Sequence, residues 1–182
     1  MIDLTLIPDG GLSWLDASGP MSNIVLSTRV RLARNLAGFP FAVRGGEEDR
    51  RRILDQVDRV WQRSPLSKGG MRFLVDDLEP ADRLLLHERH LISKELASAS
   101  GNGGGKSHAA VYLAGPLGLM VNEEDHLRLQ VFHSASRWGR RTPIWSAWIA
   151  SSGPRFPSPS TRSLAILRPV RPTPERGCGP RS

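Results

Sequence analysis

The sequence predicts an α+β domain built from an antiparallel or mixed sheet with flanking helices. Three observations support this class: one long amphipathic segment, several short apolar runs typical of strands, and no repeated strand–helix–strand unit. The 182 residues suffice for one domain with its own core.

The elements follow from local patterns in chain order. Residues 27–31 are predicted to be extended, and residues 71–75, 109–114 and 117–121 to be strands. Residues 47–63 predict a helix because Ile53, Leu54, Val57, Val60 and Trp61 share one helical face. A second helix begins at Pro80, with Leu84, Leu85 and Leu91 expected as its buried stripe, and a third covers residues 92–99. Residues 98–107 form a glycine-rich loop.

Charge and composition divide the chain near residue 132. Residues 133–182 hold nine arginines and one acid, a net of +8, whereas residues 1–132 carry 16 basic and 17 acidic side chains, a net of −1. Prolines interrupt every periodic pattern in the second part. We therefore expect a folded unit over residues 1–132 and a disordered Arg/Pro/Ser-rich tail over residues 133–182.

The chain shows no sign of a membrane or secreted location. No apolar run approaches the ~20 residues that span a bilayer, and the start lacks a basic-then-apolar signal. Cys178 is the single cysteine, which excludes an intrachain disulfide and a cysteine metal cluster. These features predict a cytoplasmic protein with no membrane partner.

Two charged motifs are candidates for a binding site. In Ser27-Thr28-Arg29-Val30-Arg31, the alternation of an extended chain places Arg29 and Arg31 on one face, where paired guanidinium groups suit phosphate oxygens. The second motif is Asn122-Glu123-Glu124-Asp125-His126-Leu127-Arg128. Consecutive acids repel one another unless a cation is present, so this segment suits Mg²⁺, a guanidinium or a general base. A solvated edge strand and a solvated turn are the plainer interpretations of the two patterns.

Two histidines at helical spacing, His87 and His90, suggest metal ligands only weakly. Because no third ligand is placed beside them, we expect no metal site there and favour a helix end with histidines in its last turn.

Together, these motifs resemble the ATP:guanido phosphotransferases, the phosphagen kinases. The resemblance rests on residues 22–35 around Ser-Thr-Arg-Val-Arg, on His90-Leu91-Ile92-Ser93, and on the Asn-Glu-Glu-Asp-His box, in the order and spacing of that family. The short lead before the first motif, with Trp14-Leu15 and Ser18-Gly19-Pro20, is similar to the bacterial branch that phosphorylates arginine side chains in proteins. The resemblance covers residues 12–132 and implies part of a glutamine-synthetase-like catalytic domain.

The resemblance also implies roles for individual residues. Residues Ser27, Thr28, Arg29, Val30 and Arg31 would bind ATP phosphates, with His90 and Arg128 as further nucleotide contacts. Glu124, with Glu123 beside it, would hold the acceptor guanidinium. ATP and Mg²⁺ are the expected cofactors. The expected partners are proteins with exposed arginines, together with an activator protein and a protease–chaperone system as in the family.

The chain leaves the family pattern after residue 132. The family continues with Gly-Tyr-Leu-Thr-Ala-Cys-Pro-Thr-Asn-Thr-Gly-Thr-Gly-Met-Arg-Ala-Ser, which is absent here. In a shifted frame, the third base of each codon is read with the first two bases of the next codon. Read in this way from Leu164 onward, the gene can encode every residue of that phrase except its leucine. We therefore expect a frameshift near residues 132–136, and little or no activity from the chain as written.

Two other functions are open at this point. The arginines and three tryptophans of residues 133–182 suit stacking on single-stranded nucleic acid, although a shifted reading frame in a GC-rich gene produces the same composition, so nucleic acid is the disfavoured partner. A folded but inactive partner-binding remnant is the other alternative, which a measurement of ATP binding separates from a kinase.

Overall fold

The computed structural model describes residue 7, residues 12–41 except 17, residues 44–98 and residues 106–135. Five strands lie in this part of the chain: β1 Ser27–Arg34, β2 Met71–Leu74, β3 Ala110–Ala114, β4 Leu117–Val121 and β5 Leu127–Ser134. The helices are α1 Glu47–Arg63, α2 Pro80–Glu88 and α3 Lys94–Ser98. The predicted tail lies outside the described residues, apart from residues 133–135.

The strands form one antiparallel sheet in the order β1-β5-β4-β3-β2. β1 begins the order as an edge strand, and its pairing with β5 runs from Ser27 opposite Ser134 to Arg34 opposite Leu127. The α+β class with an antiparallel sheet is therefore confirmed for the described residues.

α1 covers one face of the sheet, here called the first face. Its buried Ile53, Leu54, Val57 and Trp61 pack against side chains of β3, β4 and β5. Burial of each such side chain contributes about 1.5–3 kcal/mol. Acids occupy the first turn of α1 and Arg63 the last, which suits the helix dipole.

α2 and α3 cover part of the opposite, second face. Leu86 of α2 and Leu96 of α3 pack with Val111, Leu113 and Met120. This cluster draws on β3 and β4, and Arg29 and Arg31 of β1 stay exposed on the same face. One half of the second face is thus apolar and covered by α2 and α3, and the other half is charged and exposed.

The sequence placed most elements closely, with two errors in α2. The helix ends at Glu88, so Leu91, expected in its buried stripe, is buried in the turn that follows it. The bounds of α1 and β4 are those expected, and β2 ends one residue early because Val75 starts a 3-10 turn. The expected buried stripe of α2 is wrong at Leu84, which is 56% exposed, because Leu86 points inward instead. The strand β5 was not predicted. It continues two residues beyond the expected domain boundary at 132.

No helix in the described part of the chain is both long and apolar enough to cross a bilayer.

Candidate functional site

The open half of the second face gathers the arginines of two neighbouring strands. Alternation along β1 places Arg29 and Arg31 on this face, opposite Phe132 and Gln130 of β5. Arg128 of β5 lies on the same face, two residues further along the strand. Because β1 and β5 are hydrogen-bonded neighbours, Arg128 lies on the same surface as Arg29 and Arg31, from which it is distant in sequence.

The guanidinium group of Arg29 has a lowered pKa. Partial desolvation of this exposed side chain lowers its pKa most, and the charges of Arg31 and Arg128 lower it further, while Glu123 acts in the opposite direction. Its guanidinium carbon lies 5.3 Å from the centre of the Phe132 ring. Arg29 and Arg31 have no acid at hydrogen-bond distance among the described residues, so this part of the surface is suited to phosphate oxygens.

The acidic motif forms a tight loop between β4 and β5. Asn122 has φ 57°, and its backbone N–H donates to the carbonyl of His126 at 3.0 Å. The Asn122 side chain donates to the carbonyls of Arg50 and His108, both at 2.8 Å, and so ties the loop to α1 and to the start of β3. The loop is therefore fixed from several sides.

His126 anchors the same loop to the chain after β1. Its Nδ1 accepts from the Leu36 backbone N–H at 2.9 Å, so the proton lies on Nε2, which donates to the Pro40 carbonyl at 2.7 Å. The ring is 1% exposed. His126 is thus a neutral structural histidine, not a group facing a ligand.

The three acids of the loop surround the guanidinium of Arg128. Arg128 donates to Glu123 at 2.7 Å, to Glu124 at 2.7 Å and to Asp125 at 3.2 Å. The Glu123 side chain has no exposed surface, whereas that of Glu124 is 64% exposed. The acids therefore form a pocket that already holds one guanidinium group.

The carboxyl group of Glu123 has a raised pKa. Burial raises the pKa of its carboxyl group, and a hydrogen bond with Ser93 and the charge of Arg128 oppose this increase. The neighbouring charges of Glu124 and Glu95 raise it further. A carboxylate with a raised pKa is a stronger proton acceptor than a solvated one.

An aromatic cluster borders the arginines. Trp14 lies 5.7 Å from Phe132 and 5.8 Å from His90, measured between ring centres. His90 follows α2 with φ 58°, and Gln130 of β5 donates to its carbonyl at 2.8 Å. The described residues thus place a cluster of three aromatic rings beside the arginines.

Comparisons with known proteins point to one family. Residues 52–141 match the family described as ATP:guanido phosphotransferase, C-terminal catalytic domain. The protein-arginine kinase of Moorella thermoacetica is 40% identical over 121 residues, which are 64% of this chain and 33% of that protein. The protein-arginine kinase of Symbiobacterium thermophilum is 38% identical over 146 residues, 76% of this chain and 37% of that protein. The chain carries part of a phosphagen-kinase catalytic domain.

Solved structures share the fold of this phosphagen-kinase fragment. A duplicated taurocyamine kinase from Schistosoma mansoni superposes with a TM-score of 0.60 at 21% identity, covering 85% of this chain and 22% of that chain. A lombricine kinase gives a TM-score of 0.58 at 13% identity, covering 82% of this chain and 42% of that chain. The chain spans about a third of the length of the curated relatives it matches.

The phosphagen-kinase fragment brings most of the predicted site residues to the second face. Arg29, Arg31 and Arg128 lie there with Glu123, and Ser27 shares their side of β1. His90 lies beside Phe132 at the border of the same surface, with ring centres 6.5 Å apart. Glu124 occupies the exposed rim of the acidic pocket.

Two predicted residues lie elsewhere. Alternation along β1 directs Thr28 and Val30 to the first face, where the Thr28 hydroxyl donates to the Ala135 carbonyl at 2.6 Å. Their side chains therefore do not contribute to the arginine surface. Arg128 lies on the second face with Arg29 and Arg31, but its guanidinium group contacts the acids that the resemblance assigned to the acceptor.

Sequence reasoning missed Trp14, Gln130 and Phe132. The signal was present, because residues 127–132 alternate between apolar Leu127, Leu129 and Val131 and the set Arg128, Gln130 and Phe132. Recognition of that alternation would have placed Gln130 and Phe132 with Arg128.

Proposed function

We propose that this face forms part of a site that transfers the γ-phosphoryl group of ATP to the guanidinium group of an arginine side chain in a protein. The observation that carries the proposal is the surface where Arg29, Arg31 and Arg128 meet the buried carboxylate of Glu123. Such a transfer requires one anionic and one cationic partner side by side, and this surface presents the complementary charge to each.

The arginines would serve the nucleotide. Charge on the transferred phosphoryl group is spread over its oxygens, and guanidinium forks neutralise it with two parallel hydrogen bonds each. Arg29 and Arg31 are free of acid contacts at hydrogen-bond distance in the described residues, whereas Arg128 is engaged by the acidic loop. Arg29 and Arg31 are therefore the primary phosphate ligands in this proposal.

The acids would serve the acceptor. A guanidinium group keeps its proton up to a pKa above ~12 and is a poor nucleophile until a carboxylate orients it and accepts a proton. In the reaction, a nitrogen–phosphorus bond forms, the bond between the γ-phosphorus and the bridging oxygen breaks, and the nitrogen's proton passes to the carboxylate. Glu123 suits the proton transfer because burial raises its pKa, and the exposed Glu124 suits the first contact with a substrate.

The Mg²⁺ expected with ATP would be held mainly by the nucleotide. The described residues contain no group of three or more His, Cys, Asp or Glu side chains arranged to hold a metal ion. Mg²⁺ commonly binds through phosphate oxygens and water with few protein ligands, which fits this arrangement. Its contribution would be to neutralise charge on the phosphates.

Protein substrates are proposed from two observations. The curated relatives reported above are named protein-arginine kinases, and the arginine surface is open at the sheet edge. An activator protein, a protease–chaperone system and a cytoplasmic location, all expected from the family resemblance, complete the proposal.

Binding and transfer are measured separately to test the proposal. The full chain is titrated with ADP·Mg²⁺ by calorimetry. Phosphoarginine is sought by mass spectrometry after incubation with ATP and an arginine-rich protein, where we expect little or none from the chain as written. We expect R29A to weaken ADP binding about tenfold or more, since a charge-assisted hydrogen bond contributes about 1.5–3 kcal/mol.

Arg59→Ala is the matched control for this experiment. Arg59 is an exposed arginine on α1, the helix of the first face, so its removal changes the net charge equally without touching the surface. Equal loss of ADP affinity in R29A and R59A, or no ADP binding by any form of the chain, would overturn the proposal.

A further inference from the structure

Gln130 is a buried polar side chain in a strand whose other buried positions are mostly apolar. It is 1% exposed and lies on the second face between Arg128 and Phe132. The side-chain Nε2 donates to the carbonyl of His90 at 2.8 Å and to that of Leu91 at 3.2 Å. Both hydrogens of this amide are therefore committed to two consecutive carbonyls of the turn that follows α2.

That turn holds His90 in an unusual backbone conformation. The N–H of His90 donates to the His87 carbonyl and the N–H of Leu91 to the Leu86 carbonyl, both at 2.9 Å. This pair of bonds is the Schellman ending of a helix, in which glycine normally occupies the left-handed position. Here His90 occupies it with φ 58°. A non-glycine residue in this position carries strain, which points to a need for its side chain.

The contacts of the His90 ring indicate why a histidine side chain is required at this position. The ring packs against Trp14 and Phe132, and Phe132 in turn lies under the Arg29 guanidinium. The place of the ring is fixed through the main chain, because the side chain of Gln130 bonds to carbonyls and not to the imidazole.

Gly118 provides the space for this arrangement. It lies opposite Gln130 in the pairing of β4 with β5. A Cβ at residue 118 would lie 3.2 Å from Cγ and 3.3 Å from Nε2 of Gln130. A glycine in a strand is unfavourable unless a close approach requires it, and here the amide is what approaches.

We propose that Gln130 is a positioning residue, which holds the strained turn at His90 so that the imidazole stays seated on Trp14 and Phe132 beside the phosphate-binding arginines. The expected effect on nucleotide affinity rests on the proposed function, whereas the position of the imidazole ring on Trp14 and Phe132 is independent of it.

Proton NMR of the full chain measures the seating directly. Ring currents from Trp14 and Phe132 displace the imidazole resonances of His90, which are assigned among the five histidines by their loss in His90→Gly. In Gln130→Met, which keeps the bulk and removes the donor, we expect these resonances to move towards those of a solvated imidazole. Val131→Ala is the control, because Val131 is equally buried on the same strand and faces the other side of the sheet. An unchanged His90 spectrum in Q130M, or an equal change in V131A, overturns the proposal.

ADP titration tests the functional consequence. We expect Q130M to weaken ADP binding about fivefold, the equivalent of one ordinary hydrogen bond, and V131A to leave it unchanged. In the H90G background Q130M should add nothing, because its effect passes through His90. An equal fivefold loss in both backgrounds shows that Gln130 acts by another route and contradicts the inference. If the unsubstituted chain binds no ADP, the proposed function fails, and the NMR comparison alone decides the role of Gln130.

Discussion

Glu123 experiences two opposing influences at the scale of a single residue. Its side chain is fully buried, which disfavours the charged form, while Arg128 and Ser93 favour it, and burial prevails. A carboxyl group whose pKa is raised on folding stabilises the fold below its unfolded pKa, near 4.5. That contribution is lost as the pH rises through the raised folded value.

Glu123→Gln should therefore alter how stability depends on pH. The amide does not titrate, so the melting temperature of E123Q relative to the parent chain should increase as the pH is raised from below 4.5 through the raised pKa of Glu123. Thermal melts followed by circular dichroism from pH 3.5 to 8 give this difference, and groups common to both proteins cancel. A difference that is flat or falls with pH would show that the Arg128 contact outweighs burial.

His126 is a residue whose importance lies in the fold. Its two ring nitrogens bond to the backbone of Leu36 and Pro40 inside the protein. His126→Ala leaves both backbone groups without their partner and opens a cavity, so we expect a loss of about 2–4 kcal/mol in the free energy of unfolding. Urea denaturation measures this. His87→Ala, on the partly exposed surface of α2, should change stability by about 0.5 kcal/mol or less, and equal effects would contradict the structural role.

At the scale of elements, Gly70 marks the point where α1, the turn after it and β3 converge. A Cβ at Gly70 would lie 2.5 Å from both the Leu66 carbonyl oxygen and Cζ2 of Trp61, and 3.0 Å from the Leu113 carbonyl oxygen. The two backbone oxygens cannot yield as a flexible side chain would. The approach of α1 to the sheet is thus set by the absence of a side chain at this position.

Gly70→Ala should separate these elements and destabilise the domain by about 1–3 kcal/mol or more. Gly69→Ala is a matched control one residue away, because nothing lies within 4 Å of a Cβ built there. Urea denaturation of the two variants checks the prediction. Equal stability of G69A and G70A would show that α1 adjusts its position freely.

At the scale of the whole molecule, the reading frame is the open question. The family match ends at residue 141, soon after the segment 132–136 where the sequence departs from the family pattern. We propose that a single-base insertion or deletion lies there. Resequencing the gene across codons 130–137 should reveal it, and restoration of the frame should produce the glycine- and threonine-rich family phrase. A continuous reading with no altered base would remove the proposal.

A large part of the fold followed from the sequence, because local patterns carry the information. The apolar face of residues 47–63 determined α1, and the apolar run 117–121 determined β4. The α2 stripe went wrong because Leu84, Leu85 and Leu86 are consecutive and apolar, so that composition does not show which of them faces inward. Only the packing of α2 against β3 and β4 selects Leu86.

The candidate site, too, was determined partly by the sequence and partly by the tertiary structure. The sequence by itself determined that Arg29 and Arg31 share one side of a strand and that three acids precede Arg128, since both are consequences of spacing along the chain. The tertiary structure decided that β5 lies beside β1, which brings Arg29 and Arg31 close to Glu123. It also places Arg128 among the acids of the loop and packs His90 against Trp14 and Phe132. These contacts join residues up to about a hundred positions apart, and their formation depends on strand pairing and burial, which no local pattern specifies.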